Sequence, residues 1–102
     1  MRMYVVIFRS TRTDKNVDQY REWSEKMDIL VAEQHGYQSH FGFRDSETGQ
    51  GVTVSYFESE DSIKQWHNNS EHVDAQALGR AHFYESFSVE VAVIKRHYEW
   101  HK

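Results

Sequence analysis

Residues 37–57, YQSHFGFRDSETGQGVTVSYF, decide the fold. Residues 37–44 and 52–57 are rich in aromatic and β-branched side chains, while residues 45–51 are polar and hold two glycines. Two such runs around such a turn read as the strands of a hairpin. On the first strand, Tyr37, Phe41 and Phe43 are expected on one face beside Ser39. What stands on either side of the hairpin then fixes the architecture.

Upstream, residues 3–13 alternate and are rich in Val, Ile, Tyr and Phe, which predicts a strand. Met3, Val5 and Ile7 fall on one face and Tyr4, Val6 and Phe8 on the other. Both faces are apolar, so both need cover. Asp14 or Asn16 can cap a following helix, with Gln19 in a capping-box position relative to Asn16. That helix carries Val17, Tyr20, Met27, Leu30 and Val31 at helical spacing and stops at Gly36. Downstream, Ser59 caps a short helix containing Ile63 and Trp66, and Asn68, Asn69 and Ser70 interrupt it. Ser70 can cap a second helical segment, whose first turn holds Glu71 and Asp74, the favourable end for acids. Residues 83–98 close the chain as a long strand, with Phe87, Val89, Val91 and Val93 alternating against Ala92 and Ile94.

The order is β-α-β-β-α-β, which predicts a ferredoxin-like α+β fold with a four-stranded antiparallel sheet. Two helices cover one face of that sheet, and the other face is bare within one chain. That bare face would be a large apolar patch, and two-fold pairing with a second copy covers it. Residues 1–102 are expected to form one domain, since no linker, low-complexity segment or proline divides them. The apolar fraction of 38% is lean, and the 15% aromatic content compensates through large buried rings.

Charge and cysteine content narrow the function classes. A net charge of −4 with interspersed signs and no basic patch argues against nucleic acid as a partner. The absence of cysteine excludes disulfides, thiolate metal sites and cysteine nucleophiles. The apolar run near the N-terminus is too short for a signal peptide or a membrane span, so a cytoplasmic protein is expected. No glycine-rich phosphate loop and no nucleophile elbow appear, and the histidines form no zinc-like cluster.

Chemistry is concentrated in residues 66–84, WHNNSEHVDAQALGRAHFY. If residues 70–81 are helical, His72, Gln76 and Arg80 fall at i, i+4 and i+8 along one face, with Ala75 and Leu78 turned toward the protein. His72 can exchange a proton near neutral pH. Gln76 and Arg80 can orient a substrate or hold a developing anion. Trp66, Phe83 and Tyr84 would supply an apolar wall. Each has an ordinary structural alternative. A tryptophan on an apolar helix face is commonly core, a histidine at a helix start can bond a backbone carbonyl, and Arg80 can pair with Glu71 or Glu85. Phe83 and Tyr84 also begin a strand.

The run Glu71-His72-Val73-Asp74-Ala75-Gln76-Ala77-Leu78-Gly79-Arg80, followed by Phe83-Tyr84 and the terminal strand, resembles the antibiotic biosynthesis monooxygenase (ABM) domain family. Trp66 belongs to the same resemblance, which spans essentially the whole chain. It implies a ferredoxin-like subunit in a dimeric α+β barrel, a homodimer joined through the sheet face. It also implies either oxygenation of phenol- or quinol-type aromatic substrates without metal or flavin, or binding and oxidative opening of haem. The haem-degrading branch uses an asparagine on the first strand, a tryptophan matched by Trp66, and an iron-ligating histidine at the position of Gln76. The first strand offers Phe8, Arg9 and Ser10 where asparagine is required, and glutamine is a poor axial ligand. The expectation is therefore a small cofactor-independent monooxygenase, with a haem protein and a non-catalytic small-molecule-binding dimer as the alternatives.

Overall fold

The computed structural model describes residues 3–69, 74, 77, 78 and 80–102. Its elements run β1 (Met3–Arg12), α1 (Val17–Ala32), β2 (Tyr37–Arg44), β3 (Gln50–Phe57), α2 (Glu60–Asn68) and β4 (Tyr84–Ile94). The sheet is antiparallel with strand order β2-β3-β1-β4. This is the ferredoxin-like α+β arrangement that the element order predicts.

Register assigns each side chain to a face, because directly opposed residues share one. Tyr4, Val6, Phe8 and Ser10 of β1 align with Phe57, Ser55, Thr53 and Gly51 of β3, and with Val93, Val91, Val89 and Phe87 of β4. This is the helix-covered face. Fully buried Phe57 packs there with Val31 of α1 and Ile63 of α2, and Tyr4, Val6, Tyr37 and Trp66 close around them. The opposite face carries Val5 and Ile7 against Tyr56 and Val54, with Val52, Phe41 and Phe43 toward the β2 edge. None of the described elements covers it, and Phe43 is 73% exposed.

One expectation about β2 is corrected. Tyr37 opposes Phe57 but Ser39 opposes Tyr56, with a register shift between them. That β-bulge places Tyr37 on the helix-covered face and sends Ser39, Phe41 and Phe43 to the bare one. Simple alternation put all four together because an inserted residue leaves no compositional mark. The terminal strand is also shorter than expected. β4 stops at Ile94, the last residue opposed by β1, and among the described residues no strand lies beside residues 95–98.

Helix termini show where local chemistry acts. Ser59 caps α2 as predicted, its hydroxyl accepting from the Ser62 amide at 3.1 Å. Asn16 holds the N-cap position of α1 but in the left-handed region (φ 59°), with no side-chain cap bond. Its amide instead donates to the His82 carbonyl at 3.3 Å, and the Thr13 amide donates to the Phe83 carbonyl at 3.0 Å. The cap is given up to tie the start of α1 to the entry of β4. Gly49 (φ 75°) closes the β2–β3 turn, and its carbonyl accepts from the Arg12 amide at 2.9 Å.

Candidate functional site

Two aromatic groups divide the helix-covered face. At the Tyr4 end, Trp66 packs against the Val31–Phe57–Ile63 core. At the other end, α1 lays Tyr20 and Trp23, three residues apart and so on one face, over the sheet. Tyr84 lies 5.5 Å from Phe8, 6.0 Å from Phe87, 6.0 Å from Tyr20 and 6.1 Å from Trp23 between ring centroids. Phe83 is 2% exposed beneath Tyr20 and Trp23, at 5.7 and 5.2 Å. The structure thus brings Phe83 and Tyr84 together, while Trp66 belongs to the other group.

Two arginines border this aromatic box. The Arg12 guanidinium sits 4.0 Å from the centre of the Tyr20 ring. That of Arg44 lies 5.5 Å from Tyr20 and 5.8 Å from Tyr84. Arg44 crosses Gly51, where a Cβ would lie 2.7 Å from its Cζ. There it donates to Ser10 Oγ at 2.7 Å and to the Gly49 carbonyl at 2.6 Å. Ser10 is buried, so the bonded hydroxyl is what makes its place in the core tolerable. Neither arginine has a carboxylate within 4.0 Å among the described residues. Arg12 Nε and Trp23 Nε1 are buried donors with no acceptor among those residues.

Burial, more than the neighbouring Tyr20, holds the Tyr84 hydroxyl well above its ordinary pKa of 10.0, while Arg44 and Arg12 pull the other way. Tyr84 is therefore a proton-bearing phenol throughout the physiological range. It can donate a hydrogen bond or a proton and cannot serve as a base at neutral pH. An open cleft of about 740 Å³ adjoins the box, lined by Arg12, Tyr20, Arg21 and Arg44 and also by the acidic residues Asp14, Glu25, Asp45, Glu47 and Glu85.

His72 and Gln76 lie outside the described residues. Asp74, Ala77, Leu78 and residues 80–82 are helical, and Arg80 is exposed. Leu78, expected to turn inward, is 43% exposed.

Sequence reasoning missed Tyr20, Trp23, Arg12 and Arg44. The i, i+3 pairing of two aromatics on α1 was the available signal. It also missed a second polar cluster. His40 Nδ1 lies 2.6 Å from Tyr37 Oη, and its Nε2 lies 3.2 Å from Asp28 Oδ1 of α1. Burial, then the charge of Asp28, raises the Tyr37 hydroxyl above its ordinary pKa. Among the described residues no group of three His, Cys, Asp or Glu could hold a metal ion, and no helix is long and apolar enough to cross a membrane.

The haem pattern is not met on β1. Phe8 is stacked at 5.6 Å on Phe87, Arg9 faces the bare side paired with Glu90, and Ser10 is committed to Arg44. None offers the amide that the pattern requires.

Residues 3–78 match the antibiotic biosynthesis monooxygenase family. The chain is 39% identical over 93 residues to the uncharacterized protein YqjZ of Bacillus subtilis, covering 91% of this chain and 80% of that protein. Its fold superimposes on SnoaB, a cofactor-independent oxygenase from Streptomyces nogalater (TM-score 0.74, 12% identity, 97% of each chain). It also superimposes on Rv0793 from Mycobacterium tuberculosis (TM-score 0.75, 15% identity, 95% and 97% of the two chains). The chain belongs to the antibiotic biosynthesis monooxygenase family.

Proposed function

We propose that this protein is a cofactor-independent monooxygenase acting on an electron-rich aromatic substrate of phenol or quinol type. In this reading residues 1–102 form a single cytoplasmic domain that works as a homodimer through its bare sheet face. The observation that carries it is the box of Phe8, Tyr20, Trp23, Tyr84 and Phe87 bordered by two arginines, in a chain of this family. Ring faces suit a flat aromatic, and guanidiniums with no carboxylate within 4.0 Å among the described residues suit the oxyanion formed when it is deprotonated.

The substrate supplies the electrons. A phenol and dioxygen give a quinone and water: one oxygen atom enters the ring carbon, the other leaves as water, and the ring loses four electrons. The chain must therefore remove a proton, hold the anion and exclude bulk water. His72 is the proposed base, Gln76 and Arg80 further anion donors, and Tyr84 the apolar wall, whereas Trp66, first expected in that wall, packs instead against the Val31–Phe57–Ile63 core. Phe83, buried behind Tyr20 and Trp23, supports Tyr84 from beneath. SnoaB, described as a cofactor-independent oxygenase, supports the absence of a cofactor by analogy.

The test is oxygen uptake by the purified protein with a panel of phenols and hydroquinones in chelator-treated buffer. Uptake that falls about 10²-fold or more in His72→Ala, with the dimer intact, is the expected result. Uptake unchanged in that variant removes His72 from the mechanism. No uptake with any member of the panel overturns the oxygenase reading and leaves a binding protein.

A further inference from the structure

Three residues stand in one row across the helix-covered face. Arg44 of β2 is opposed to Gly51 of β3, and Gly51 to Ser10 of β1. A Cβ on Gly51 would lie 2.7 Å from Arg44 Cζ and 2.9 Å from both Nη atoms. The glycine therefore lets the arginine lie over its backbone and reach a hydroxyl two strands away. There the guanidinium meets Ser10 Oγ at 2.7 Å, the Gly49 carbonyl at 2.6 Å and the Ser10 carbonyl at 3.5 Å.

We infer that Arg44 binds the ionised oxygen of the aromatic substrate and favours phenolate over phenol, with Gly51 and Ser10 as the positioning residues that hold it. The inference rests on the phenol reading of the box above and deepens it by assigning the anion to one residue and its setting.

Charge, placement and rigidity carry it. All three acceptors on Arg44 are uncharged, and no carboxylate lies within 4.0 Å of it among the described residues. A half-buried cation met only by neutral dipoles keeps its charge for an incoming anion. The guanidinium lies 5.5 Å and 5.8 Å from the Tyr20 and Tyr84 ring centres and lines the adjoining cleft. A phenol ring laid against Tyr20 can thus set its oxygen on Arg44. Donors fixed in advance need no rearrangement when the anion forms. The cleft's acidic residues, Asp14, Glu25, Asp45, Glu47 and Glu85, are all exposed, so water and salt screen them. Asp45 is also engaged in its own turn, accepting from the Glu47 amide at 2.9 Å.

The probe is 4-nitrophenol, whose phenolate absorbs visible light while its phenol does not, and whose electron-poor ring resists oxidation. Full-length protein is titrated with it at a series of pH values, with the released proton taken up by buffer. We expect bound probe to ionise about one pH unit or more below free probe, a tenfold preference for the anion. Arg44→Gln should remove that preference. Arg44→Lys should keep part of it, since the charge remains but the held fork is lost. Gly51→Ala should remove most of it. Gly51 is not in the left-handed region, and the new methyl meets the end of a flexible side chain, so the guanidinium moves and the fold stays. Ser10→Ala, which removes one holding acceptor, should fall between.

Wild-type ionisation of the probe in Arg44→Gln overturns the inference and leaves the phenol site standing. Wild-type ionisation in Gly51→Ala or Ser10→Ala overturns that residue's positioning role. A wild-type protein that binds no probe at any pH overturns both the inference and the box as a phenol site. Preference for the anion in a protein that takes up no oxygen upholds the inference and sinks the oxygenase reading alone.

Discussion

Gly36 and Ser62 occupy one space: a Cβ on Gly36 would lie 2.0 Å from Ser62 Oγ and 2.7 Å from Ser62 Cβ. Gly36 also has φ +84°, and its carbonyl accepts from the Glu58 amide at 2.8 Å. Ser62 cannot yield, because it is 3% exposed and its hydroxyl is bonded to that of Ser59, the cap of α2. Gly36→Ala therefore combines a left-handed alanine with a clash against a capped helix. The expected cost is about 2–4 kcal/mol, read as a lower urea midpoint with an unchanged slope. A midpoint equal to wild type would show that the helix start moves aside without penalty.

The Tyr37–His40–Asp28 chain ties α1 to the β2 edge. Removing the imidazole with His40→Ala leaves the Tyr37 hydroxyl and the Asp28 carboxylate without this partner, and should cost about 1–2 kcal/mol. Asp28→Asn removes one of the two causes that raise the Tyr37 pKa. A spectrophotometric titration should then show one tyrosine ionising closer to pH 10.0. An unchanged titration curve would mean that burial alone sets the shift.

Tyr84 makes stability depend on alkaline pH. Its folded pKa lies above the ordinary 10.0 of an unfolded chain. The unfolded state therefore loses the proton first as pH rises. The contribution is fully present below pH 10.0 and is lost progressively above it. Tyr84→Phe cannot ionise, so it should flatten the decline in thermal midpoint above pH 10 while leaving neutral-pH behaviour close to wild type. A variant with the same alkaline decline would assign that decline to other groups.

The sequence reading reached the parts of this fold that composition governs. The hairpin at residues 37–57, the Ser59 cap and the alternation of β4 each follow from residue types within a few positions. What it missed depends on register or on distant partners. The extra residue at Gln38 looks like any other strand residue until β3 is aligned beside it. Asn16 is a good cap by type, and only the nearby His82 carbonyl draws its side chain away. The aromatic box joins residues from β1, α1 and β4, so Tyr20 and Trp23 read as an amphipathic stripe until the sheet lies beneath them. The resemblance to the family was legible in residues 71–80, but side-chain roles were not, because they depend on placement rather than on spelling.

The bulge near Gln38 has a consequence for how such a chain diverges. Tyr37 answers to the interior, whereas Phe41 and Phe43, a few residues later, answer to whatever meets the outer surface. Drift at the outer pair can therefore proceed without disturbing the tyrosine that the interior needs. If the strand ran through Gln38 without a bulge, simple alternation from Tyr37 would turn both phenylalanines inward at once. One inserted position in β2 thus lets the outer surface change while the helices stay seated on the other side.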